Sequence, residues 1–218
     1  MKGNDKPRIL FIGGTGTIST AVTALLSKHG ADLYLFNRGT KSDTVPAGVK
    51  IITGDIRDTE AAGKALDGFT FDVVVDWIAF TPEHVRNDIR LFGGKVKQYV
   101  FISSASAYEK PPSCYLIRET TPLVNPYWQY SRDKAECEKI LMDEYHRNSF
   151  PCTIVRPSYT YRNTIPFVLN SKTHPWTIID RMLRGKKIIV PGDGTSLWTL
   201  THAEDFASGF TALLGNRE

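Results

Sequence analysis

The stretch Arg8-Ile-Leu-Phe-Ile-Gly-Gly-Thr-Gly-Thr-Ile-Ser19 decides the fold of this chain. Its apolar half, which ends at Gly13, is typical of a buried strand, and the residues after Gly16 begin a helical pattern. A tight turn from strand to helix needs glycine, because the backbone there approaches other backbone without room for a Cβ. The free N–H groups at the start of such a helix bind phosphate. The pattern therefore predicts a βαβ unit that holds a dinucleotide, NAD or NADP; an ordinary turn with fortuitous glycines is the alternative.

Strands and helices alternate along the rest of the chain with short connections. The predicted strands are 8–13, 32–37, 49–53, 71–76, 99–103, 152–156 and a late one at 187–190. The predicted helices are 17–29, 58–66, 82–92, 128–145, 176–184 and 203–214. The strand at 71–76 has almost no polar alternation, which indicates a parallel sheet covered by helices on both faces. We therefore expect an α/β fold with a doubly wound parallel sheet.

Two regions are expected within the chain. Residues 1–160 carry the alternating pattern of the dinucleotide-binding domain. Residues 161–218 are too short for a core of their own and are expected to form a small, incomplete substrate-binding subdomain, with 163–175 as a loop.

Composition narrows the class of protein. The chain has 218 residues, of which 41% are hydrophobic and 23% charged, with a net charge of +4. These values are ordinary for a globular protein, and the polar N-terminus lacks a signal peptide, so a cytoplasmic location is expected. Neither the three cysteines nor the five histidines have the spacing of a metal site, and no metal is expected. Without a basic run, a nucleic-acid partner is not favoured, although the mild positive charge suits an anionic ligand.

The end of the second predicted strand bears on the choice between NAD and NADP. An acidic residue there would hold the ribose of NAD, whereas arginine can pair with the 2′-phosphate of NADP. The residues present are Asn37 and Arg38, which favours NADP; a solvated surface charge is the alternative for Arg38. After the third strand, Asp55 is expected near the adenine, unless it caps the helix that follows, a role that Asp58 could equally serve.

A tyrosine and a lysine lie one helical turn apart, at Tyr130 and Lys134. A lysine cation near a tyrosine favours the phenolate and lowers the tyrosine pKa, which makes the tyrosine a better base. Ser103 and Ser104 end the fifth strand, at the edge of the sheet where ligands bind in this architecture. The pair alone is weak evidence for a catalytic site. Its position after the glycine turn and the serines strengthens that interpretation.

Together these residues resemble the extended short-chain dehydrogenase/reductase family, the NAD-dependent epimerases and dehydratases with a Rossmann fold. The resemblance includes the glycine turn, Gly54-Asp-Ile-Arg-Asp58, Phe101-Ile-Ser-Ser-Ala-Ser-Ala-Tyr108, the Tyr130/Lys134 pair, Val155-Arg-Pro157 and His202-Ala-Glu-Asp-Phe-Ala207. Asp76-Trp-Ile-Ala-Phe80 and Ser196 to His202 are most similar to the branch of UDP-glucose 4-epimerase-like proteins and chloroplast stem-loop-binding proteins.

The resemblance implies roles for individual residues. Tyr130 would be the general base, Ser104 rather than Ser103 would orient the substrate oxygen, and Lys134 would lower the tyrosine pKa and bind ribose. The cofactor-binding residues it implies are Gly13, Gly16, Thr17, Ile18, Asn37, Arg38, Asp55, Ile56, Ile78, Ala79, Tyr130, Lys134 and Pro157. It also implies a small-molecule substrate, such as a nucleotide sugar, and a homodimer through the helix that holds Tyr130.

Some positions depart from the family pattern. Ser19 replaces the third glycine, Asn37 replaces the acid of NAD users, and Trp198 stands where sugar-nucleotide enzymes often carry arginine. The chain also ends soon after the helix at 203–214, before the expected end of the substrate subdomain. The leading hypothesis is an NAD(P)-dependent epimerase, dehydratase or reductase. The alternative is a non-catalytic member of the same fold that senses cofactor or binds RNA.

Overall fold

A computed structural model describes residues 6–40, 44–164, 174, 176–190, 192–195 and 197–216. The strands are β1 (Arg8–Ile12), β2 (Asp32–Asn37), β3 (Lys50–Thr53), β4 (Val73–Asp76), β5 (Gln98–Ile102), β6 (Cys152–Val155), β7 (Tyr159–Tyr161) and β8 (Leu200–His202). The helices are α1 (Ser19–Lys28), α2 (Thr59–Leu66), α3 (Pro82–Phe92), α4 (Gln129–Asn148), α5 (Thr177–Leu183) and α6 (Ala203–Thr211). None of the helices in the described residues is long and apolar enough to cross a membrane.

The main sheet has six parallel strands in the order β3-β2-β1-β4-β5-β6. The order reverses at β1, because the chain crosses from β3 over the sheet to β4, which pairs with the other side of β1. This is the doubly wound arrangement of a Rossmann fold, and it confirms the predicted fold class. Ligands in such sheets bind beyond the carboxyl ends of the strands, at the point of reversal.

Each face of the sheet has its own apolar core, because side chains along a strand alternate between the faces. Leu10 and Ile12 pack with α2, α3 and α4, whereas Ile9 and Phe11 pack with α1 and α6. Both sets are almost fully buried, which explains why these strands read as continuous apolar runs.

The last helix, α6, packs against the six-stranded sheet. Ala203, Ala207 and Phe210 are buried in the core shared with α1. The division into 1–160 and 161–218 stays a prediction, but part of the second region contributes to the core of the first.

The predicted strand at 187–190 is wrong. Residues 186–190 have no regular structure, and the side chain of Ile189 is 78% exposed, so no packing holds this run in an extended ladder. A two-stranded parallel sheet, missed by the sequence analysis, joins β7 to β8 through the register Thr160 to Thr201. Most of the predicted loop at 163–175 lies outside the described residues, as do Pro191 and Ser196.

Candidate active site

The glycine turn between β1 and α1 requires glycine at two positions. Gly13 and Gly14 both have φ of +96°, in the region that L side chains rarely adopt. A Cβ on Gly13 would lie 3.2 Å from Cγ2 of Ile78, and one on Gly14 would lie 2.7 Å from Cδ2 of Leu35. The backbone at Gly13 and Gly14 therefore packs directly against Ile78 and Leu35, with no room for a Cβ.

Backbone N–H groups of this turn face outward. Those of Thr17 and Ile18 have no acceptor among the described residues, which suits an anion such as a pyrophosphate. The N–H of Gly16 instead donates to Oγ of Ser19, at 2.8 Å. Ser19 is buried, so the residue that replaces the third glycine is accommodated, and it occupies one of the turn's donors.

The end of β2 presents the residues predicted to choose between NAD and NADP. Oδ1 of Asn37 accepts a hydrogen bond from the N–H of Gly39, at 2.8 Å, and so shapes the turn. Arg38 is exposed, and its guanidinium has no partner among the described residues. The proposed contact between Arg38 and a ligand phosphate stays a prediction.

The segment after β3 resolves the alternative for Asp55. Asp58 is the residue that caps α2, because its carboxylate accepts the N–H of Ala61 at 3.0 Å. Asp55 instead accepts the N–H of Arg57 and is exposed, and its place near an adenine stays a prediction. Ile56 is buried in the core and has little surface to offer a cofactor.

Hydrogen bonds to the side chains of Asp76, Arg57 and Lys134 hold the loop after β4. Oδ1 of Asp76 accepts the N–H groups of Ile78, at 2.5 Å, and of Ala79, at 2.7 Å. The carbonyl of Ile78 accepts from Arg57, and that of Ala79 accepts from Lys134. Ala79 is fully buried, so the predicted direct contact between Ala79 and a cofactor is not available in this structure. Ile78 is partly exposed and offers its side chain beside the glycine turn.

The predicted catalytic tyrosine and serine meet at the carboxyl edge of the sheet. Tyr130, near the start of α4, lies beside Ser104, which follows β5. Burial raises the pKa of Tyr130, and the neighbouring hydroxyl of Ser104 acts in the opposite direction. Ser106 accepts from Ser104 and from Ser131, at 2.9 Å each, and so links the strand end to α4.

Lys134 lies one turn further along α4 and is 1% exposed. Its Nζ donates to the carbonyl oxygens of Ala79, at 2.7 Å, and Ile102, at 2.6 Å, and it lies 5.6 Å from the centre of the Tyr130 ring. Burial lowers the pKa of Lys134 to about 8, against the charges of Cys137 and the nearby carboxyls. Burial of the phenol raises the pKa of Tyr130 in this structure, so the expected lowering by Lys134 stays a prediction. Lys134 is not accessible to a ribose without movement of its neighbours.

A buried ion pair that the sequence analysis missed supports these residues. Glu138 accepts hydrogen bonds from Arg156, at 2.6 Å for the shortest, and from the hydroxyl of Ser103. Arg156 also donates to the hydroxyl of Tyr108 and to the carbonyl of Glu119. Because the hydroxyl of Ser103 is taken by Glu138, only Ser104 of the serine pair faces Tyr130. The signal in the sequence was Glu138 itself, four residues after Lys134 on the same face of α4.

The remaining predicted residues lie around this edge. The carbonyl of Pro157 accepts the N–H of Ala105, at 3.0 Å, beside Ser104. Trp198 is half exposed, and its ring meets the edge of Tyr159 next to the small sheet of β7 and β8. In the described part of the chain, no group of three or more His, Cys, Asp and Glu side chains is arranged to hold a metal ion.

Comparison with known proteins places the chain among proteins with these features. The model of the NAD dependent epimerase/dehydratase family matches residues 9–91 and 89–218. Chloroplast stem-loop binding protein of 41 kDa b from Arabidopsis thaliana is 28% identical over 234 residues, covering all of this chain and 58% of that protein. A UDP-glucose 4-epimerase from Azospirillum brasilense is 27% identical over 69% of this chain and 48% of its own length. The chain thus spans about half the length of these curated relatives.

Solved structures share the fold. UDP-glucose 4-epimerase from Thermus thermophilus, in complex with NAD, superposes with a TM-score of 0.77 at 22% identity, over 97% of this chain and 75% of that one. A dTDP-glucose 4,6-dehydratase from Bacillus anthracis, also in complex with NAD, gives 0.76 at 22% identity, over 96% and 72%.

Proposed function

Because the chain belongs to the NAD dependent epimerase/dehydratase family, we propose that it is an NAD(P)-dependent enzyme acting on a sugar nucleotide or related hydroxy compound. The reaction is hydride transfer at a hydroxyl-bearing carbon, transient in an epimerase or dehydratase and net in a reductase. The observation that carries the proposal is that Ser104 and Tyr130 lie side by side, with the buried ammonium of Lys134 one helical turn away.

The residues of the site fit a dinucleotide. The glycine turn lies at the edge of the sheet where dinucleotides bind in this fold, and the N–H groups of Thr17 and Ile18 have no acceptor among the described residues. When bound, the nicotinamide ring supplies the acceptor or donor of the hydride.

The chain's own side chains handle the proton. The phenolate of Tyr130 takes the proton from the substrate hydroxyl and becomes a phenol, and the phenol returns the proton in the reverse direction. Ser104 orients the substrate oxygen by a hydrogen bond. The ammonium of Lys134 lies 5.6 Å from the centre of the Tyr130 ring, so its positive charge favours the ionised form of the phenol.

Substitution of Tyr130 by phenylalanine tests this role. Loss of the general base should reduce turnover by about 10²- to 10⁴-fold, while NAD(P)H affinity stays nearly unchanged. Mass spectrometry of the natively purified protein identifies the bound nucleotide and any sugar nucleotide, and UDP-glucose and dTDP-glucose serve as probe substrates. Tyr127→Phe, which removes a hydroxyl from a side chain that is 76% exposed, is the matched control. Equal turnover in Tyr130→Phe and Tyr127→Phe would remove this mechanism.

Arg38 supports a preference for NADP over NAD. A charge-assisted hydrogen bond to the 2′-phosphate is worth about 1.5–3 kcal/mol, so Arg38→Ala should weaken NADPH binding by roughly 10- to 100-fold. NADH binding should not change, because NADH lacks that phosphate. Arg38→Lys keeps the charge without the planar fork and should fall between the two. Fluorescence titration with both nucleotides measures this, and NADH binding as tight as NADPH binding in the unaltered protein would contradict the preference.

A non-catalytic, RNA-binding role is the second candidate, and the similarity to a chloroplast stem-loop binding protein over all of this chain favours it. It predicts an RNA complex that weakens steeply with salt. A gel shift with a stem-loop RNA at low salt tests it, and absence of a complex eliminates it. A purely binding role has no need of the Ser104, Tyr130 and Lys134 arrangement, so we place it second.

Two further properties are proposals of the same kind. We propose a homodimer through α4, whose outer face exposes Met142 and Tyr145; sedimentation of the unaltered chain at two concentrations tests it. The cytoplasmic location stays a prediction.

A further inference from the structure

Two aspartates lie fully buried on neighbouring elements behind the proposed active site. Asp76 ends β4 and Asp88 lies in the middle of α3, and both have 0% exposure. An ionised carboxylate is costly in such a place unless hydrogen bonds or an opposite charge compensate it. Neither residue belongs to the set expected to contact substrate or cofactor.

The hydrogen bonds of this pair leave one oxygen of each carboxyl without a donor. Oδ1 of Asp76 accepts the N–H groups of Ile78 and Ala79, and Oδ2 of Asp88 accepts the hydroxyl of Tyr99 at 2.6 Å. The other oxygens, Oδ2 of Asp76 and Oδ1 of Asp88, are buried and find no donor among the described residues. The two carboxyls are within hydrogen-bonding reach of each other, so one proton between them would satisfy both oxygens.

We infer that Asp88 is a protonated acid at neutral pH that donates its hydrogen bond to Asp76, and that the pair positions the loop supporting Lys134. The second half of this inference rests on the proposed function, whereas the shared proton does not.

The charges around the pair agree with one proton and one negative charge. Burial raises the pKa of Asp88 well above its usual range, and the charge of Asp76 raises it further, while Tyr99 and Arg57 act in the opposite direction. Burial raises the pKa of Tyr99, which keeps its hydroxyl a donor. The other titratable groups that face the pair are His84 of α3, together with Lys134 and Cys137 of α4.

Asp76 and Lys134 both hydrogen-bond to the backbone of Ala79. Asp76 fixes the N–H of Ala79, and the carbonyl of the same residue accepts from Nζ of Lys134 at 2.7 Å. A second negative charge on Asp88 would repel Asp76 and disturb the peptides that both Asp76 and Lys134 hold. Asp76 and Asp88 are therefore positioning residues, which act on the site through the loop at 77–80.

Infrared spectroscopy of the full chain tests the shared proton without any ligand. We expect the C=O stretch of a buried protonated carboxylic acid at neutral pH, and its loss in Asp88→Asn. Asparagine there can donate to Asp76 and accept from Tyr99, so the fold should persist. Asp143→Asn, at an exposed position on α4, is the matched control and should leave the band intact. No band in the unaltered protein, or the same band in Asp88→Asn, would overturn the shared proton.

The positioning role has a separate readout in the titration of Lys134. NMR of lysine labelled at Cε, with the signal assigned by its loss in Lys134→Met, follows a midpoint expected at about 8. Asp88→Asn should retain that midpoint, whereas Asp88→Leu, which cannot donate to Asp76, should shift it. An unchanged midpoint in a folded Asp88→Leu variant rejects the positioning role. Failure of the unaltered protein to bind NAD(P)H would reject the proposed function and leave both of these results standing.

Discussion

Lys134 is the residue whose environment departs furthest from that of an ordinary side chain of its type. Its ammonium is enclosed by the rings of Phe80, Phe101 and Tyr130, at 4.6–5.6 Å, and two backbone carbonyls accept its hydrogen bonds. These contacts compensate only part of the cost of burying the charge, so the pKa falls to about 8. Both the stability and the proposed activity should therefore depend on pH in a narrow range above neutrality.

The direction of the stability change follows from proton counts. The pKa of Lys134 is about 8 in the folded chain and about 10.4 in the unfolded chain. Between these two pH values the unfolded chain binds more protons at Lys134, so the free energy of unfolding increases as the pH rises. The gain should approach roughly 3 kcal/mol by about pH 10.4, and below about pH 7 it should be absent. Urea unfolding at several pH values measures the free energy of unfolding of the unaltered chain and of Lys134→Met. The difference between the two at each pH isolates the contribution of Lys134, because the other titrating groups are common to both proteins. A flat difference would contradict the lowered pKa.

The serines show how far sequence could resolve the site at this scale. The pattern put Ser103 and Ser104 at a strand end, and family spacing alone preferred Ser104. The structure supplies the physical reason, since Ser103 faces inward and hydrogen-bonds Glu138, which is paired with the guanidinium of Arg156. Sequence could not show this, because the partners are separated by 35 and 18 residues along the chain.

At the level of elements, the glycine turn is where sequence and structure agree best. A tight turn requires particular backbone angles at a few adjacent positions, so the residues that permit those angles can be recognised in the sequence. Gly13 and Gly14 both satisfy that demand, with positive φ and close neighbours. Ser19 could be read only as a departure from the pattern, and its role as acceptor for the N–H of Gly16 needed coordinates.

Substitution of Gly14 by alanine tests two requirements of the turn, which are the positive φ and the close approach of a neighbouring side chain. The variant places a Cβ 2.7 Å from Cδ2 of Leu35, a fully buried side chain, and also strains a backbone with φ of +96°. We expect a loss of about 2–4 kcal/mol in the free energy of unfolding, from both effects together. Gly48→Ala, with φ of +86° and no atom within 4 Å of the new Cβ, carries the strain alone and should lose about 1–2 kcal/mol. Urea unfolding compares them, and equal losses would mean that Leu35 moves aside freely.

Elements that depend on distant partners were the ones sequence failed to predict. The strands β7 and β8 are three residues each, too short for a periodic signal, and each exists only because it pairs with the other. The apolar run at 187–190 looked more like a strand than either, yet it has no such partner among the described residues. Whether these segments form strands depends on pairing between residues about 40 positions apart, which a local sequence pattern does not reveal.

For the whole molecule, the main consequence is that both ends of the described chain meet in one core. Strand β1 and helix α6 contribute to the same core, where Phe210 packs against Trp77 at a ring distance of 5.0 Å. Gln98 at the start of β5 also accepts the N–H of Gly215 and donates to the carbonyl of Leu213. The residues after β8 thus help to hold the strand that leads to Ser104.

Substitution of Phe210 by alanine tests this dependence. Phe210 is 2% exposed, and removing its ring should leave a cavity beside Trp77 that costs about 3–5 kcal/mol. Leu183→Ala on α5, where the side chain is 76% exposed, is the control and should change stability by less than about 0.5 kcal/mol. Because α6 closes the face of the sheet that α1 also covers, a single unfolding transition should move to lower urea as a whole. A cost below about 1 kcal/mol for Phe210→Ala, or a separate transition for the last region, would mean that residues 203–211 are not part of the nucleotide-binding core.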